Sequence, residues 1–266
     1  MILAVEECDF VNQTVCAPAE VSELFVFTKT LWGTPITRTI FLMGLAALIV
    51  VVVLYLAHRN RQPVPTKFQA MVDSLTGFVR DEVAIGIIGP EGVKYFPYLL
   101  SIFMFVLVGN LFEITPFINF PITSRMAIPA FLAIVTWVIF VIVGFAKNGV
   151  SYFMDIVWPK SAPIALRPLV GVIEFFSTFF IRPFALAVRL FANMVAGHVM
   201  LSLLLVTGFV FVVNIGEIPL KGSFGFAWFA LGIGIFVFEI LVAVLQAYIF
   251  TLLSAVYIQS SVHPEH

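Results

Sequence analysis

The sequence predicts an all-α polytopic membrane protein. It reads as five transmembrane helices plus a membrane-surface amphipathic helix, the last two membrane helices long and steeply tilted. Composition is the first reason: of 266 residues, 61% are hydrophobic and 11% charged, against about 45–50% and about 25% in soluble domains. Apolar residues also gather in five runs near or beyond the ~20 residues that cross ~30 Å of hydrocarbon. Finally, the last two runs exceed that thickness by a wide margin.

The first run is Ile40–Ala57, which stops at His58-Arg59-Asn60-Arg61. Residues 63–94 mix Lys67, Asp73, Arg80, Asp81, Glu82, Glu91 and Lys94 with apolar positions. Met71, Leu75, Phe78, Val79 and Glu82 fall at helical spacing, so a helix over about 66–88 lying on the membrane surface is expected. Ile87-Ile88-Gly89-Pro90 ends it. Phe96–Phe112 and Met126–Ala146 are the second and third spans, joined as a hairpin by a turn that begins Glu113-Ile114-Thr115-Pro116 and runs through Pro121 to Arg125. Residues 147–167 read as a polar loop.

Pro168–Val213 would reach ~69 Å as a helix, and Phe224–Ser260 ~55 Å. Helices this long must tilt or kink in a bilayer, and Pro183, Gly197 and Gly208 offer bends in the first. Two inclined helices side by side suggest a wall packed against something curved. Residues 1–36 form an outer-side segment and 37–266 a single membrane domain.

Loop charges set the orientation. One side carries Arg59, Arg61, Lys67, Arg80, Lys94, Lys147, Lys160 and Arg167, the other only Lys29, Arg38, Arg125 and Lys221. The first side is therefore cytoplasmic (or matrix), the N-terminus is outside, and five spans put the C-terminus inside. Glu6, Glu7, Asp9 and Glu20 stand where a signal peptide has a basic region, so a cleaved leader is not expected. Cys8 and Cys16 lie in this acidic segment, and their spacing leaves a disulfide or two free thiols equally open. The net charge of −1 carries no indication of a nucleic-acid partner.

Arg189 is the residue any function must explain. It stands in a nearly wholly apolar stretch with no acid following until Glu217. A guanidinium keeps its proton, and a charge at a bilayer centre costs ~2.5–3.5 kcal/mol on insertion scales, so such residues usually serve an ion or proton path. The long segments also hold Glu174, Arg182, Asn193, His198, Glu239 and Gln246. On a helix Arg189 and Asn193 lie about 40° apart, while Arg189 and His198 take opposite faces; Glu239 and Gln246 share one. A fixed cation is thus separated from a titratable imidazole. Bland readings stand beside these. Arg182, next to Pro183, snorkels to an interface; Glu174 is a boundary charge; His198, Glu239, Asn193 and Gln246 are interhelical glue. No second histidine lies deep in a span, so a bis-histidine haem has no second ligand. No cofactor or metal is expected.

The run Arg189-Leu190-Phe191-Ala192-Asn193-Met194-Val195-Ala196-Gly197-His198 closely resembles the signature of subunit a of F-type ATP synthases. Glu239-Ile240-Leu241-Val242-Ala243-Val244-Leu245-Gln246-Ala247-Tyr248-Ile249-Phe250 resembles the family's last helix, and Asn110–Pro116 its hairpin turn. The resemblance covers nearly the whole chain from about residue 37.

It implies roles by position. Arg189 matches the stator arginine that faces the carboxylate of each passing subunit of the rotating c-ring, and Asn193 the asparagine one turn later. His198 and Glu239 match a pair lining the half-channel to the outer compartment, in the swapped arrangement found in mitochondria and many bacteria. Gln246 matches the glutamine set opposite the arginine. Glu174 lies near the acid assigned to the inner half-channel, with a spacing to Pro183 one residue longer than in some members. Two offset half-channels would carry protons to and from the ring carboxylates, Arg189 preventing a short circuit. The implied partners are the c-ring, the peripheral-stalk subunit b and membrane lipid.

The chain has no G-x-x-x-x-G-K-[ST] run, so no direct nucleotide binding is expected and catalysis belongs to partner subunits. The expected location is a bacterial plasma membrane, with the mitochondrial inner membrane as the alternative. A stand-alone proton-coupled transporter would want paired repeats, which the sequence does not display. A structural subunit of a redox complex would leave Arg189 without a partner. His198 suits protons, although sodium-coupled relatives exist.

Overall fold

The computed structural model describes residues 38–59, 64–115, 122–159, 163–217 and 219–262. The 1–36 segment with Cys8 and Cys16 lies outside them, as do Arg61, Pro116, Pro121 and Lys160. Among the described residues the structure is helical without strands. The helices are α1 (Arg38–Arg59), α2 (Lys67–Phe78), α3 (Phe96–Ile114), α4 (Ala127–Asn148), α5 (Val150–Val157), α6 (Arg167–Phe176), α7 (Arg182–Val213) and α8 (Pro219–Val262). Two stretches are π-helical, Val79–Ile88 and Ser177–Ile181. Five helical segments are long and apolar enough to cross a membrane: Thr39–Arg59, Phe96–Ile114, Ala127–Asn148, Arg167–Val213 and Gly222–Val262.

Where sequence and structure differ, the reasons are local. The expected loop over 147–167 contains α5. Gly149, at φ +59°, reverses the chain after α4, and the Tyr152 ring lies where a side chain at Gly144 would stand. The irregularity of the first long segment falls at Ser177–Ile181, ahead of Pro183, and not at Gly197 or Gly208, which sit inside regular α7. The surface-helix region begins at a capping box, Thr66 with Gln69. Its buried stripe runs through Gln69, Val72, Val79, Val83 and Ile88, leaving Met71 and Glu82 exposed. The π-helical winding after Phe78 resets the spacing from which the expected face is read.

The chain divides into two compact units. Unit one comprises Met1–Gly44, Gly109–Ser124 and Ala192–Leu245; unit two comprises Leu45–Val108, Arg125–Phe191 and Gln246–His266. In unit one the second part of α7 and the first part of α8 form an antiparallel hairpin. A side-chain carbon added at Gly208 would lie 2.7 Å from the Phe229 nitrogen, and one at Gly232 2.6 Å from Leu205 Cδ2. Hydrocarbon gives no hydrophobic drive between helices, so close backbone approach over small residues supplies the packing.

Unit two is fastened by polar contacts at helix ends. Tyr98 donates to Thr136 Oγ1 at 2.8 Å, joining α3 to α4; such bonds within membranes are worth about 0.6–1.7 kcal/mol. Lys147 pairs with Glu91. The last turn of α8 is held by Asn148 Nδ2, which donates to the Ser261 carbonyl at 2.9 Å. The Tyr152 hydroxyl lies 3.2 Å from Ser261 Oγ. Burial pushes the Tyr152 phenol above its usual range, with the Ser261 bond and Arg182 opposing, so it remains a neutral hydrogen-bonding group. Phe175 stacks on Phe179, centroids 4.9 Å apart, and Phe179 meets Trp137 edge-on.

Candidate functional site

Inside the apolar packing of unit one lie three ionisable side chains from three helices. Glu113 (2% exposed) ends α3, His198 (4%) projects from α7, and Glu239 (5%) from α8. His198 Nδ1 stands 3.4 Å from Glu113 Oε1. Glu239 lies within electrostatic reach of both. Two carboxyls and an imidazole thus stand within electrostatic range of one another in the interior of unit one.

The backbone makes room for this cluster at Gly197. Any side chain there would run into the Glu239 carboxyl group. Glycine beside His198 thus lets α8 present a carboxyl directly against α7. Asn110, one turn before Glu113 on α3, is fully buried and accepts a bond from Thr123 Oγ1 at 3.0 Å. Among the described residues Asn110 Nδ2 and Glu239 Oε2 have no hydrogen-bond partner. Polar atoms buried in that state are costly and rare in native interiors, which marks this cluster as a candidate site.

The sequence reading singles out His198 and Glu239, which the structure brings together, but not Glu113. It assigns Glu113 to the turn after the second span, whereas α3 continues through Ile114. A signal was there. Asn110 and Glu113 are spaced one helical turn apart at the end of an otherwise apolar run, and so share a face.

Unit two holds Arg189, Glu174 and Gln246. Arg189 is exposed, on a face of α7 that also carries exposed Ala192, Asn193 and Met200. The stripe beside it, about 60–140° further round the helix, is buried and consists of Leu186, Leu190, Met194 and Leu201. Among the described residues no hydrogen bond or ion pair engages Arg189. Asn193, one turn on, is likewise exposed and falls in unit one. Gln246, two turns after Glu239 on α8, is buried. Glu174 is half-buried on α6. Seven residues before Arg189, half-buried Arg182 donates from Nη1 to Ser260 Oγ at 3.3 Å and lies 5.5 Å from the Tyr257 ring centre. No group of three or more metal-ligating side chains occurs among the described residues.

Fold and site together define a multi-pass helical membrane protein with ionisable groups deep in its spans, the pattern of chains that handle ions or protons. The chain belongs to the ATP synthase A chain family, whose model matches residues 40–259. It is 43% identical over 226 residues to ATP synthase subunit a of Frankia alni, covering 83% of this chain and 76% of that protein. It is 35% identical over 266 residues to ATP synthase subunit a of Cereibacter sphaeroides, covering 99% and 96%. With ATP synthase subunit a of Dinoroseobacter shibae the identity is 37% over 246 residues, covering 92% and 93%.

Proposed function

We propose that this chain is the proton-channel stator subunit of an F-type ATP synthase, coupling proton flow to rotation of the c-ring and so to ATP synthesis. The observation that carries the reading is Arg189. A permanent cation exposed on an apolar membrane helix, with no anion engaging it from the described residues, calls for a carboxylate supplied by another chain.

In this account a proton enters from the outer compartment and passes the cluster of His198, Glu239 and Glu113. Its two carboxyls and imidazole, side by side, are groups that can take up a proton and hand it on. The proton then neutralises a ring carboxylate, which in that form faces lipid without a large desolvation cost. After nearly a full turn the ring carboxyl meets Arg189. The guanidinium favours its ionised form, and the proton leaves toward the inner side near Glu174. Asn193 and Gln246 are further polar residues of the same proposed path. Arg189 also bars direct passage between the two half-channels, because a proton would have to approach a fixed positive charge. Each proton crossing 100 mV delivers ~2.3 kcal/mol, so several serve each nucleotide made.

The chain itself is non-catalytic; the lack of a phosphate-binding glycine loop supports this. Its partners are the c-ring, the peripheral-stalk subunit b and lipid. It sits in a bacterial plasma membrane with its N-terminus outside and C-terminus cytoplasmic. The testing experiment is Arg189→Ala in the whole complex. Proton-driven ATP synthesis falls to background, while passive proton conductance of membranes stripped of the catalytic head persists or rises. Synthesis at the normal rate would contradict the reading.

A further inference from the structure

Arg182 and Arg189 are seven residues apart in one regular helix, within about 20° of the same face. Their surroundings differ. The Arg182 guanidinium is held by the Tyr257 ring and Ser260 Oγ on α8. The residues that hold it are themselves fixed. Tyr257 packs on Phe140 of α4 at 5.8 Å, and the adjacent Ser261 is tied to Asn148 and Tyr152. Immediately upstream, Ser177–Ile181 is π-helical. A π turn takes up about one more residue than an α turn, a phase change of about 100°. The rotational setting of α6 therefore reaches α7 with an offset of about one residue, and regular winding restarts at Arg182, the residue that is clamped.

We infer that Arg182 is a positioning residue: its clamp onto Tyr257 and Ser260 sets the rotation of α7 about its axis and so the direction in which Arg189 points. An arginine suits the task because one planar group both stacks on a ring and donates a directed hydrogen bond. The inference rests on the reading of Arg189 as the group facing the ring.

The test uses the whole complex with Cys8 and Cys16 replaced. Single cysteines are placed at Ala192 and Ala196, which are exposed, or at Leu190, which is buried. Each is crosslinked to a cysteine beside the ring carboxylate. With Arg182 intact, the two exposed positions crosslink at least tenfold more than Leu190. With Arg182→Gln at unchanged complex abundance, that contrast falls several-fold and proton leak per ATP made rises. Arg182→Lys, which keeps the cation and a donor but not the planar stacking group, restores only part of both. Should Arg182→Gln fail to assemble, Tyr257→Leu with Ser260→Ala removes the clamp from the α8 side and is read identically. Unchanged contrast and coupling without the clamp would overturn the inference alone. Equal crosslinking at all three positions with Arg182 intact would overturn the reading of Arg189 on which it rests.

Discussion

The cluster around His198 and the surroundings of Arg189 are two answers to one problem, an ionisable side chain in an apolar helix. In unit one the charges are buried and face one another, His198 against Glu113 with Glu239 in reach of both. In unit two Arg189 is exposed, and no described residue pairs with it. The first arrangement is internally compensated, an imidazole facing a carboxyl. The second is a fixed charge that, in the proposed function, is compensated from outside the chain. The proposed proton path uses both kinds of group, the first to pass protons and the second to bar them.

The contrast is broken most severely by removing a titrating member. Glu239→Gln keeps shape and hydrogen bonding but cannot carry a proton. Proton-driven synthesis should fall tenfold or more with the subunit still present in the membrane complex, measured on inverted vesicles and by immunoblot. Normal flux with a depleted complex would instead make Glu239 packing glue. Next in size is Gly197→Ala, whose added methyl meets the Glu239 carboxyl group. Flux should drop several-fold, and pairing it with Glu239→Ser should recover abundance of the subunit but not proton flow.

Glu113→Gln sharpens the comparison further. A several-fold loss is expected. Combined with His198→Gln it should cost little more than the larger single change, because residues acting as one unit are not additive. Additive losses would separate the two residues. The smallest effect belongs to Tyr152→Phe, which reaches the Arg182 clamp only through Ser261. Losing the bond to Ser261 should destabilise the end of α8 by about 0.5–1.5 kcal/mol, seen as earlier thermal unfolding in detergent, with a smaller change in coupling than Arg182→Gln gives.

Much of this was legible in the sequence, because a bilayer imposes length and polarity on each span separately. Five apolar runs, the unusual Arg189, and His198 and Glu239 as carriers of charge in hydrocarbon all follow from local composition. What escaped depends on winding or on meetings between helices. Glu113 reads as a turn residue until α3 is seen to run through Ile114 and bring it to His198. The π-helical Ser177–Ile181 has no glycine or proline to announce it. It takes up an extra residue between Glu174 and Pro183. Glu82 departs from the expected face for a similar reason, since α-helical periodicity fails as a guide within the π-helical Val79–Ile88. Gly197 looked like a bend and is instead the space that Glu239 occupies.

The central claim is that the Arg189 face of α7 meets a rotor. It is tested most directly by a cysteine at Asn193, crosslinked to one beside the ring carboxylate in a complex lacking Cys8 and Cys16, with Leu190 as the buried control. The account predicts that Asn193 crosslinks and Leu190 does not, and that the ring subunits become linked in succession only while rotation is allowed. An intact complex in which Asn193 never reaches the ring would contradict it.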